Sequence, residues 1–101
     1  MSRYDATRIS YQKQNELLNL FCDILFGFKT REEIYNFLKD LLNRPERLML
    51  VRRLLIAEML MDKKTYREIA EELHCGTVTI ARVHRWLNFG RGGYEQAIRV
   101  K

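Results

Sequence analysis

The sequence predicts an all-α protein of about six helices, and three observations carry that expectation. Apolar residues recur at three- and four-residue spacing along most of the chain, the period of one helix face. Three helix starts are written as capping boxes, in which a Thr or Asn is followed three residues later by Glu: Thr30 with Glu33, Asn43 with Glu46, and Thr65 with Glu68. Turn formers are scarce. One Pro and five Gly are too few for the many short strands of a β-sandwich or barrel. The 101 residues allow a single domain, 1–101. A content of 47% hydrophobic and 31% charged residues belongs to a globular chain and not to a disordered one.

The first helix carries Leu17, Phe21, Ile24, Leu25 and Phe28 on one stripe, with Gly27 near its end. Leu18 and Leu20 widen that stripe beyond what one packed face needs. The second helix opens at Thr30 and presents Ile34, Phe37, Leu38, Leu41 and Leu42. The third starts around Asn43, with Pro45 suited to its first turn. From Leu48 to Leu60 it is apolar nearly all round, the composition of a central, buried helix. Arg52 and Arg53 interrupt it. Unpaired burial of a guanidinium is costly, so each must reach solvent, an acid or a ligand, or snorkel to the surface. Asp62, Lys63 and Lys64 then form a polar turn.

Residues 65–87, TYREIAEELHCGTVTIARVHRWL, form the informative segment. Thr65 and Glu68 start a fourth helix whose inward face is Ile69, Ala70 and Leu73. His74, Cys75 and Gly76 make a tight turn, and Thr77 caps a fifth helix with Val78, Ile80, Ala81, Val83 and Leu87 available for packing. Two helices joined in this way are a helix-turn-helix, here spanning about 65–88. Ala70 is small because the helices cross closely there, and Ile69, Leu73 and Ile80 lock the crossing. The turn position that is often Gly is His74, a residue type enriched at positive φ among non-glycines. Past Phe89, Gly90 to Gly93 form a flexible turn before a short amphipathic stretch, Tyr94 to Val100.

Charge points the same way. The net charge is +5, and the excess is C-terminal: residues 63–101 carry eight basic and four acidic side chains. No acid occurs between Glu72 and Glu95, a gap that contains Arg82, Arg85 and Arg91. A one-sided basic stretch is the electrostatic footprint of a nucleic-acid surface. A recognition helix offers its N-terminal residues to the major groove, where each base pair has a distinct donor and acceptor pattern. The candidate DNA-binding residues are Arg67, Thr77, Val78, Thr79, Ala81, Arg82 and Arg85. Val78 and Ala81 suit thymine methyls, while Arg82 and Arg85 suit phosphates or an effector. Double-stranded DNA is therefore the expected partner.

Other classes fit less well. No stretch approaches a membrane span, and the polar start MSRYDATRIS carries no export signal, so a cytoplasmic protein with two free, buried thiols, Cys22 and Cys75, is expected. His74, Cys75 and His84 lack the spacing of a metal site; His74 reads as a turn residue and His84 as a phosphate or surface contact. No catalytic triad, phosphate loop or carboxylate pair stands out, which argues against an enzyme. RNA recognition wants exposed aromatics on a sheet or loop. The remaining alternative is a helical protein-interaction module whose basic face meets an acidic partner.

From Leu42 to Leu87 the chain resembles the Trp-repressor family, in particular its YerC/YecD-type branch. The resemblance rests on NRPER at 43–47, Arg53 to Ile56, and TYREIAEEL and TVTIAR between 65 and 82, with NFGRGGY at 88–94 similar to the end of that branch. It implies an intertwined homodimer whose dimerisation helices span about 8–62 and whose two reading heads sit one DNA turn apart. It also implies an amino-acid effector held by Asn43, Arg53, Thr79 and Arg82, an arginine being able to bind a carboxylate bidentately and stack on a ring. This chain departs from the Trp repressor at three of the pocket positions. Asn43 replaces a threonine, Val83 a glycine and Trp86 a serine. The added bulk argues against tryptophan, leaving a smaller or more polar amino acid, histidine among them, as the effector. In the other reading Val83 and Trp86 fill the pocket, and Arg53 and Arg82 are structural.

Overall fold

A computed structural model describes residues 8–100. The first seven residues, which contribute to the expectation of no export signal, lie outside them. Among the described residues there are six helices and no strand. The chain divides into two compact units, 1–41 and 42–101.

The first unit holds α1 (Tyr11–Phe26) and α2 (Arg31–Leu41). Ser10 caps α1 by accepting the Lys13 N–H at 3.1 Å. The predicted box at Thr30 is formed: its hydroxyl accepts the Glu33 N–H at 3.1 Å, and the Glu33 carboxylate accepts the Lys29 and Thr30 N–H groups. Phe37 meets Phe21 and Phe28 with ring centroids 6.2 and 5.1 Å apart. These rings come from the apolar stripes expected on the two helices. No side chain of α1 or α2 is buried, however, and Leu18, Leu20 and Phe26 are exposed.

The second unit holds α3 (Arg44–Met61), α4 (Tyr66–Leu73), α5 (Thr77–Phe89) and α6 (Gly93–Arg99). Here α3 packs against each of the other three. Its core is Ile56 and Ala57 from α3, Ile69 from α4, and Ile80 and Val83 from α5. Ala70, Leu73, Cys75, Tyr94 and Ile98 pack around it. The expectation of a wholly buried α3 holds only for Ile56 and Ala57, with the last turn after them half-buried. Leu48, Met49, Leu50, Val51, Leu54 and Leu55 are exposed, because one helix cannot be wrapped on every side by three short ones. The expectation of two buried thiols also fails: both are free, but Cys22 is exposed and Cys75 half-buried. Cys22 lies on α1, where nothing is buried, whereas Cys75 leans on the core of the second unit.

The box at Thr65 is formed as expected, with the Thr65 N–H donating to Glu68 Oε1 at 3.0 Å and the Glu68 N–H donating to Thr65 Oγ1 at 3.1 Å. Those Thr65 hydrogen bonds, with a smaller contribution from Lys64, hold the Glu68 carboxyl below the usual carboxylate range. A folded value below the unfolded one means stability fully present above the unfolded value and lost as pH falls through the folded value. Glu68→Gln is therefore expected to lower the neutral end of the stability profile, leave its acid end nearly unchanged, and so flatten the fall between them. Urea titrations across that range check it, and an unchanged profile would contradict the role.

Candidate DNA-binding surface and adjoining cavity

Three residues shape the turn between α4 and α5. His74 ends α4 in the left-handed region, φ 52° and ψ 50°. Gly76 then returns to an extended conformation as the N-cap of α5. The sequence reading placed that cap on Thr77. Thr77 is instead the first residue of the helix, and no side chain caps it. Gly is itself an acceptable N-cap, so Gly-Thr leaves the choice to the backbone. At His74 a side chain with a Cβ holds a position where glycine is unstrained. His74→Gly is expected to stabilise the unit by up to about 1 kcal/mol, and His74→Val, β-branched at positive φ, to destabilise it by more. Thermal unfolding of the two variants checks the opposite signs.

The turn sets α5 on the core by Ile80 and Val83, which are 0% and 3% exposed. The positions around them face outward. Thr77, Val78, Ala81, Arg82 and Arg85 are exposed, Val78 at 65%, while Thr79 is half-buried. Val78, Arg82 and Arg85 are four and three residues apart and so lie along one side of the helix. Arg85 places its guanidinium 6.0 Å from the Trp86 ring centre. Arg67, on α4, is exposed and ion-paired with Glu71 at 3.2 Å.

One link between the two helices escapes the sequence. The Tyr66 hydroxyl and His84 Nδ1 are 2.8 Å apart, with the rings edge to face at 5.7 Å between centroids. His84, read from the sequence as a phosphate or surface contact, is half-buried and ties α5 to the start of α4. Eighteen residues separate the pair, and no local pattern signals it.

Beside this surface, between α3, α5 and α6, lies a cavity of about 330 Å³. Its polar wall is Arg52 and Arg53 from α3, Thr79 and Arg82 from α5, and Tyr94 from α6. Met49, Val83 and Trp86 complete it. Three of the four residues expected at an effector site, Arg53, Thr79 and Arg82, thus share one cavity. Asn43 does not line it. Its side chain accepts the Glu46 N–H at 3.0 Å, and Glu46 accepts the Asn43 N–H at 2.9 Å, so Asn43 serves as the cap of α3. Val83 belongs to the core while Trp86 is 58% exposed, and the space beside both stays open. Arg52 is the member that sequence reasoning left unassigned. It is half-buried, and its Nε is enclosed with no hydrogen-bond partner.

Among the described residues no three His, Cys, Asp or Glu side chains group as metal ligands, and no helix is long and apolar enough to cross a membrane.

Comparison with known proteins bears on this arrangement. Residues 16–101 match the family model described as Trp repressor protein. The chain is 42% identical over 95 residues to a Bacillus subtilis (strain 168) protein named "Uncharacterized protein YerC", covering 93% of this chain and 90% of that one. A crystal structure of a TrpR like protein from Eubacterium eligens ATCC 27750 superposes with a TM-score of 0.72 at 38% identity, covering 84% of this chain and 87% of that one. A two-helix head on a helical core, a sequence match over most of the chain and a solved relative of the same fold agree: the chain belongs to the Trp repressor family, a DNA-binding regulatory family and not an enzymatic one.

Proposed function

We propose that this protein is a sequence-specific transcriptional regulator, acting as a repressor in the cytoplasm, that binds duplex DNA as a homodimer through α4 and α5. The observation that carries the reading is the outer face of α5. Thr77, Val78, Ala81, Arg82 and Arg85 are exposed on it, within a stretch of chain that contains no acid. A helix so placed can enter a major groove, with Thr77, Val78 and Ala81 at base edges and Arg82 and Arg85 at phosphates. Arg67 contributes from α4, tempered by its pairing with Glu71. Thr79, half-buried against the cavity, serves the pocket more than the groove.

Exposed apolar side chains support the dimer. Leu18, Leu20 and Phe26 on α1, and Leu48, Leu50 and Val51 on α3, are more than a soluble monomer leaves uncovered. A second copy would also supply the second reading head that a palindromic site requires. Light scattering at micromolar concentration is expected to give twice the chain mass, and a folded monomer would overturn the dimer. The cavity beside α5 is the seat of a small effector, an amino acid or another carboxylate-bearing molecule, with Arg53 and Arg82 as the groups that bind its anionic end.

The deciding experiment is selection of duplexes from random DNA by the purified protein, with and without a mixture of free amino acids. A palindromic consensus is the expected result, and its dependence on the mixture would place an amino acid in the cavity. Failure to enrich any sequence under either condition would overturn the regulator and favour the protein-interaction module.

A further inference from the structure

We propose that the cavity between α3, α5 and α6 takes a small dianion, a dicarboxylate or a phosphate monoester, in preference to a neutral zwitterionic amino acid. The proposal rests on the reading of this cavity as an effector seat and is independent of what α5 reads on DNA.

Three guanidinium-bearing side chains, Arg52, Arg53 and Arg82, line one space, and none of the residues around it is acidic. A single carboxylate can engage one guanidinium bidentately, which leaves the other two without an anionic acceptor. The ammonium group of a zwitterion would add a fourth cation to the same space, with no carboxylate in the wall to meet it. Two negative charges on one ligand remove both difficulties. Arg52 points to the same conclusion independently. Its Nε is enclosed and lacks a partner, and an enclosed donor without an acceptor is destabilising. An oxygen of a bound anion would supply that acceptor. The hydroxyls of Thr79 and Tyr94 can donate to further anionic oxygens, while Met49, Val83 and Trp86 give the ligand's carbon skeleton an apolar wall. At about 330 Å³ the cavity lies at the small end of ligand pockets.

The test is calorimetric titration of the full chain at fixed ionic strength without DNA. Succinate and glycerol 3-phosphate serve as dianion probes, and histidine and tryptophan as zwitterion probes. At least one dianion is expected to bind about tenfold or more tighter than either zwitterion, and the better of the two distinguishes a dicarboxylate from a phosphate ester. Arg52→Lys keeps the charge and the aliphatic stem but removes the enclosed Nε, and is expected to weaken that binding by about fivefold or more with the helical circular dichroism unchanged. Equal or tighter binding of a zwitterion, no heat from either dianion, or full affinity in folded Arg52→Lys would each overturn the proposal. Random-duplex selection fails or succeeds separately, so loss of the DNA reading and loss of the dianion site are told apart.

Discussion

Ile80→Ala is expected to destabilise the second unit by about 2–5 kcal/mol, the range for truncating a large aliphatic side chain in a closed core. Ile80 has no exposed surface, and it sits where α5 meets Ile56 of α3 and Ile69 of α4. Only five of the described residues are buried, so a cavity at one of them removes a large share of the packing. Small domains hold about 5–15 kcal/mol in all, and such a loss populates the unfolded head substantially. Urea titration followed by circular dichroism should show a lower midpoint with an unchanged slope. Val78→Ala, two residues away but 65% exposed, is the control and should fall within about 0.5 kcal/mol of the parent. If Ile80→Ala cost no more than Val78→Ala, the packing of α5 described above would be wrong.

Ile69 and Ile80 show how much of the fold is legible in the sequence. Ile69 and Ile80 were identifiable as the lock between α4 and α5 because helical period and capping boxes are local signals, and local signals survive in a single sequence. His74 is less plain: it departs from the Gly often found at that turn, and only the enrichment of His at positive φ points to its left-handed conformation. The position of the α5 cap was not, because Gly76 and Thr77 are both competent caps and tertiary placement decides between them. Burial of α3 was overestimated on similar grounds. An apolar run says that surface must be covered, but not which body covers it, and Leu48 to Leu55 lie open on a single chain.

At the site, identity was more legible than connection. Arg53, Thr79 and Arg82 could be singled out by resemblance, and they do share a cavity. Asn43 stands apart from them, because a capping box and a ligand contact call on the same side chain and the box is satisfied here. The Tyr66–His84 bond and the enclosed Nε of Arg52 join residues on different helices. Neither leaves a periodic trace, and each exists only once the helices cross.

Charge on α5 gives the second large effect. If Arg82 and Arg85 each neutralise a phosphate in both heads of a dimer, the four contacts give a log–log salt slope near −3.6, and raising salt from about 50 to 200 mM should weaken DNA binding by about 10²-fold. Arg85→Ala should flatten that slope by about one per protomer and weaken binding to all sequences alike, since a phosphate contact carries no base information. Arg85 is the cleaner position for this measurement, because Arg82 also borders the cavity and its removal would disturb both. Arg67 provides the counter-test. It is already paired with Glu71, so Arg67→Ala should change the slope less than Arg85→Ala does. Glu71→Gln should release Arg67 to the phosphates and tighten binding at low salt, with the gain fading as salt rises. Slopes measured by fluorescence anisotropy on one selected duplex compare all three variants directly. An unchanged slope for Arg85→Ala would remove α5's arginines from the DNA backbone and leave the basic face without its assigned partner.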